Sequence, residues 1–246
     1  MARDPFARHL EHTHHAKIVS AEDARRLITV DKPIEWRDLE HVVPFDVARD
    51  VVISSPSKIA VAPCACRVAA QRRGDRDAEC GPVDTCLLIG DPIATFVVEH
   101  QDGARLIDAE EALGIVSAAS ERGNIHTIWF KDAAGDRMYA LCNCCPSCCV
   151  GLKARTAGFS PVAASGHVAR VESSRCTSCG LCEAACPFDA IHVRSEGVAV
   201  VDEPACMGCG ACAAVCRDSA VGLVRAGGAV GPLPWERLGE GQTANP

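Results

Sequence analysis

The chain has 246 residues, 48% of them hydrophobic and 23% charged, a globular composition and neither a disordered nor a fibrous one. A formal charge of −7 and an aromatic content of 4% exclude a general electrostatic pull toward nucleic acid or anionic membrane, and leave few platforms for stacking single-stranded bases. The outlier is cysteine, at 17 residues.

The opening, MARDPFARHL, lacks the apolar core and small-residue cleavage site of a signal peptide. Neither Arg25-Arg26 nor Arg72-Arg73 leads into a long apolar run, and no stretch reaches the roughly 20 apolar residues that cross a bilayer. The expectation is a soluble protein of the reducing cytoplasm, whose thiols stay free for metal and are not paired in disulfides. An odd number of cysteines cannot all pair within one chain.

Residues 1–40 read as an N-terminal extension. Its HLEHTHH run (His9, His12, His14, His15) fits a solvated polar segment better than a metal site. Ser20 is placed to cap a short helix over Ala21 to Leu27, with Asp23 in the first turn. Residues 41–165 read as a cysteine-rich α+β domain. VVI (51–53) and IAVA (59–62) predict short strands around a turn at SSPSK. Leu87 to His100 is apolar enough for a helix, with Pro92 at a start or a kink. Asp108 and Glu111 form a capping-box pattern ahead of AEEALGIVSAASERG, and Gly123 suits the C-terminal cap. Ile125–Phe130 and Met138–Leu141 predict two strands joined by KDAAGD, a hairpin that leads into the next cysteines.

This domain carries nine cysteines, Cys64, Cys66, Cys80, Cys86, Cys142, Cys144, Cys145, Cys148 and Cys149, in the strings APCACR, ECGPVDTC and LCNCCPSCC. So many free thiols are an oxidation liability unless they bind something. Soft thiolates select iron–sulfur, zinc or copper(I). One or two further iron–sulfur clusters are the preferred reading, with structural zinc as the rival. Side chains of adjacent cysteines diverge, so Cys144-Cys145 and Cys148-Cys149 point to two centres or to a non-cubane cluster. Arg67, directly after Cys66, is either a cation offsetting cluster charge or a solvent-exposed side chain.

Residues 166–226 contain a repeat. RCTSCGLCEAACPFDAIHVR recurs as ACMGCGACAAVCRDSAVGLV, with every cysteine displaced by 30 positions: 176/206, 179/209, 182/212 and 186/216. Each unit is C-x2-C-x2-C-x3-C, the first followed by Pro187, a four-iron cluster run. Zinc sites favour two separated pairs, which this spacing does not offer. Gly180 and Gly210 supply the backbone freedom that the tight loop needs. The tail, 227–246, is Gly- and Pro-rich and reads as a loop that drapes over the body or a partner.

The repeat resembles the bacterial-type two-cluster ferredoxins over about residues 170–226. That resemblance implies a ferredoxin-like fold with strands at Val168–Glu172, Ile191–Arg194, Val198–Asp202 and Val221–Val224. It implies that Cys176, Cys179, Cys182 and Cys216 hold one [4Fe–4S] cluster, and that Cys206, Cys209, Cys212 and Cys186 hold the other. Arg217 departs from the family's usual Pro. The layout as a whole resembles uncharacterised dicluster ferredoxin-like redox proteins with an extra N-terminal cysteine-rich domain. The doubled cysteines also resemble those of heterodisulfide reductases.

The chain has no G-x-G-x-x-G, no Walker loop, no H-E-x-x-H, no G-x-S-x-G and no C-x-x-C-H. The sequence therefore points to an α+β, multi-cluster iron–sulfur protein that passes single electrons to or from a partner oxidoreductase. The alternative is a small reductase with a catalytic, open-site or non-cubane N-terminal cluster fed by the ferredoxin domain, with Arg67, Asn143, His126 and Ser147 as candidate polar groups. A sensor role is disfavoured by the lack of a basic face. Catalytic residues, redox partner and oligomeric state are not legible at this level.

Overall fold

The computed structural model describes residues 14–37, 39, 41–43, 50–75, 80–131, 137–156, 159, 161–194, 197–228 and 230–238. His9, His12 and most of the KDAAGD loop lie outside these. The fold is α+β, with a curled N-terminal sheet and a C-terminal ferredoxin-type unit.

Eight strands build the first sheet: β1 (His14–Ile18), β2 (Ile34–Trp36), β3 (Val51–Pro63), β4 (Asp84–Asp91), β5 (Arg105–Ile107), β6 (Ile125–Lys131), β7 (Arg137–Cys144) and β8 (Val162–Ala163). Their order is β2-β3-β4-β7-β6-β1-β8, with β5 added to β3. All pairs are antiparallel except β1 with β8. Both faces are buried. Leu87 and Ile89 enter one core with Trp36, Val116 and Phe130. Leu88 enters the other with Ala94, Trp129 and Leu152.

That double burial explains two corrections. The run from Leu87 begins as a strand and not a helix, because a strand covered on both sides loses its period-two signal and looks like any apolar stretch. The helix starts only after Pro92, as α3 (Ile93–His100), below. The SSPSK segment is no turn either: β3 runs through it as one long strand, bent where Ser55 takes φ 51° and the pairing with β4 shifts register between Ser54 and Ile59.

The helices are α1 (Ala21–Thr29), α2 (Ala65–Arg73), α3 (Ile93–His100), α4 (Ala109–Glu121) and α5 (Val150–Thr156). Ser20 Oγ accepts the Asp23 amide at 3.0 Å, so α1 is capped as its sequence predicts and runs two residues further. Asp108 caps α4 through the Glu111 amide at 2.8 Å. The capping box is only half formed, because the Glu111 carboxylate pairs with Arg105 instead. His14 and His15 correct another expectation: they lie in β1, where His15 is buried, not in a solvated segment.

The C-terminal unit has β9 (His167–Val171) paired with β12 (Val221–Arg225), and β10 (Ile191–Val193) paired with β11 (Ala199–Val201). Two short helices, α6 (Leu181–Ala184) and α7 (Ala211–Ala214), follow Gly180 and Gly210. The backbone repeats at the sequence period. Residues 178 and 208 have φ 59° and 61°, 180 and 210 have 76° and 83°, and 189 and 219 have 52° and 49°. The tail returns to the first domain: Leu233 is buried in its core and Trp235 packs edge-on against Trp36, with centroids 5.0 Å apart.

Candidate metal centres

The two C-terminal repeats exchange one cysteine each. Cys176, Cys179 and Cys182 line a cavity with Cys216, while Cys206, Cys209 and Cys212 line another with Cys186. The crossing follows from the short helices. The three-cysteine loop closes around its own cavity, and α6 or α7 then carries the fourth cysteine across to the twin. Amide N–H groups aim at sulfur: Ala190 to Cys186 at 3.4 Å, Ala220 to Cys216 at 3.2 Å and Ala169 to Cys206 at 3.5 Å. Such donors stabilise the negative charge of a sulfur cage. Burial pushes the Cys209 thiol up to about 11 and Cys212 up to about 12, so metal uptake there must displace protons.

The two cavities differ in surroundings. Thr177 and Cys179 are exposed, as is Arg217 beside Cys216. The equivalent Met207 is buried in the core that holds Cys144 and Cys149, with Phe188 and Cys209 packed against it. Ser165 clamps this loop twice, its amide donating to Met207 O at 3.0 Å and its hydroxyl to Gly208 O at 2.8 Å. The first set carries the exposed Cys179; the second is docked on the N-terminal domain.

The nine N-terminal cysteines converge from the ends of β3, β4 and β7, the start of α2 and the loop before α5, and divide into two groups. Cys64, Cys66, Cys149, Cys144, Cys142 and Cys86 form a continuous series of sulfur–sulfur contacts. Its last link, Cys86 to Cys142, spans 3.7 Å. Cys80, Cys145 and Cys148 form a separate trio, with Cys80 and Cys145 sulfurs 3.2 Å apart. Each adjacent pair is therefore split. Cys144 and Cys149 go to the six, and Cys145 and Cys148 go to the three. The six border a cavity of ≈ 390 Å³, whose wall Cys145 and Cys148 also reach, against ≈ 20 and ≈ 10 Å³ for the two C-terminal ones. His14, Trp129 and Tyr139 share its wall.

Charge around the six is organised. Hydrogen bonds from Cys142, Cys149 and the Thr127 hydroxyl hold Cys144 below the ordinary thiol range, while the bond to Cys149 pushes Cys66 up to about 11. Arg67 is buried, which removes the solvent-exposed reading. It donates to Pro82 O and, at 2.7 Å, to Asn143 O. Asn143 is a hub between two cysteines: its side chain donates to Thr85 O at 2.9 Å and bonds His126 Nδ1 at 2.7 Å. Burial pushes His126 down to about 4, so the ring is neutral at pH 7 and serves as a strut. Sequence reasoning missed the docking residues Ser165 and Met207. The signal for Met207 was present in the repeat itself, where Thr177-Ser178 becomes Met207-Gly208.

Residues 175–221 match the sequence profile of the family described as the 4Fe-4S dicluster domain. No curated protein matches the chain. The match and the two four-thiol cavities agree: this segment is a dicluster iron–sulfur domain, and its donor set of thiolates plus amide N–H groups fits two four-iron clusters. That match, with the chain's many cysteines, supports an iron–sulfur electron-transfer role. Among the described residues no helix is long and apolar enough to cross a membrane.

Proposed function

We propose that this protein relays single electrons between a partner oxidoreductase and a further iron–sulfur centre in its own N-terminal domain. When bound, the clusters supply one-electron carriers whose potentials follow burial, charge and hydrogen bonds to sulfur. The observation that carries the reading is the asymmetry of the two C-terminal sites. The first set (Cys176, Cys179, Cys182, Cys216) carries the exposed Cys179, where a partner can approach. The second set (Cys206, Cys209, Cys212, Cys186) abuts the core containing Cys144 and Cys149. Arg217 is exposed beside Cys216, and the net negative charge favours a basic partner. The six-cysteine group supplies thiolates enough for one further cluster.

Anaerobic purification with iron and acid-labile sulfide assay, together with low-temperature paramagnetic resonance, tests this. About twelve irons per chain are expected, and about eight would confine clusters to the C-terminal unit. Cys186→Ala should damage the cluster of Cys206, Cys209 and Cys212. Loss confined to the Cys176 cluster would refute the crossed ligand sets.

The room in the N-terminal cavity favours one second reading, a small reductase. At ≈ 390 Å³ it is far larger than either C-terminal cavity, leaving space for a small molecule beside a cluster. Cyanide, a small probe ligand, changes the resonance of that centre only if an iron there lacks a protein ligand.

A further inference from the structure

We propose that Cys80, Cys145 and Cys148 bind a single zinc-type ion, separate from any iron–sulfur cluster, that pins the loop after β7 to the turn before β4. Sulfur–sulfur distance distinguishes a single ion from a cluster. Zinc–thiolate bonds of about 2.3 Å in a tetrahedron place sulfurs about 3.8 Å apart. A cubane sets each thiolate on a different iron and spreads the sulfurs wider. The sulfurs of Cys80, Cys145 and Cys148 all lie within 4.8 Å of one another. The chain contains its own ruler: among the described residues, no three of the eight C-terminal cluster cysteines, and no three of the six around the large cavity, come so close. The trio is packed for one ion, the two C-terminal sets for a cage.

The structure also offers a fourth ligand. Ser147 Oγ lies 3.0 Å from Cys145 Sγ and 3.3 Å from Cys80 Sγ, close to the roughly 3.5 Å separating oxygen and sulfur ligands of one tetrahedral zinc. The thiols are 0%, 5% and 2% exposed and pack on Ala70 of α2, whereas Ser147 is exposed. The ion is thus walled by sulfur inside, and its oxygen position faces out. Three buried thiolates select a soft divalent ion. The site also gives the doubled cysteines a reason. Holding Cys145 and Cys148 fixes the backbone of Cys144 and Cys149, which then present their sulfurs to the larger cavity.

The test measures zinc and iron together in the full-length protein purified without oxygen. One zinc per chain is expected. Cys80→Ser and Cys148→Ser should each lower zinc roughly tenfold or more with iron unchanged, and Cys66→Ser should lower iron with zinc retained. Because substituted chains can fail to fold, cobalt(II) exchanged into the unsubstituted protein is a second readout. It should show the strong sulfur-to-metal absorption and tetrahedral bands of a thiolate site. Absence of zinc from the unsubstituted protein, or iron falling with Cys80→Ser, overturns the proposal. One zinc beside only about eight irons would uphold this site while removing the N-terminal cluster.

Discussion

Arg67 shows how a single side chain joins stability to redox chemistry. Its guanidinium is 1% exposed and spends its hydrogen bonds on two backbone carbonyls, Pro82 O and Asn143 O. Its Nε has no partner among the described residues. A buried cation so placed costs desolvation unless negative charge lies close; Cys64 and its neighbours would supply it as thiolates once they hold metal. Arg67→Met strands both carbonyls. We expect a loss of about 3 kcal/mol in denaturant unfolding of the loaded protein, from two charge-assisted hydrogen bonds. The potential of the N-terminal centre should fall in a redox titration, because a cation near sulfur favours the reduced state. Unchanged stability and potential together would show that Arg67 supports neither.

At the scale of elements, the two C-terminal loops have one backbone and different side chains, and the difference records what each loop touches. Ser178 and Gly208 share a positive φ. A Cβ at Gly208 would overlap His167 O and the Ser165 hydroxyl, whereas Ser178 tolerates its own side chain. Gly208 is therefore glycine for close approach as well as for φ. Gly208→Ser, which copies the first repeat, should cost about 2 kcal/mol or more and loosen the docked loop. Ser178→Gly should change stability by less than about 1 kcal/mol. Thermal unfolding and proteolysis of the 164–167 linker measure both. Equal effects at the two sites would remove the claim that the second loop is docked.

The whole molecule is closed by its tail. Trp235 donates from Nε1 to Asp23 Oδ1 at 2.6 Å, lies under Arg26 at 4.1 Å and meets Trp36. Lys17, buried in β1, donates to Ala164 O and Gly231 O at 2.8 and 2.9 Å. Burial lowers its pKa to about 7, with nearby Asp23 opposing. Linker, tail and first strand are thereby tied at one point, which holds the second C-terminal cysteine set against the N-terminal domain. Trp235→Ala should cost about 2 kcal/mol in chemical denaturation, with iron content unchanged. Iron loss in the folded variant would show that the tail guards a cluster directly.

Much of this was legible in residues taken in order. Cysteine spacing identifies the dicluster unit because a cage of fixed size needs ligands at fixed intervals along a tight loop. Ser20 and Asp108 announce α1 and α4 because capping is local chemistry. What the tertiary structure alone decided concerns parts far apart in the chain. The strand at Leu87 is hidden because both its faces are covered. The division of nine cysteines into six and three depends on which sulfurs the ends of β3, β4 and β7 bring together, and spacing says nothing of that. Cys80 meets Cys145 across 65 positions, a contact that only the closed sheet creates.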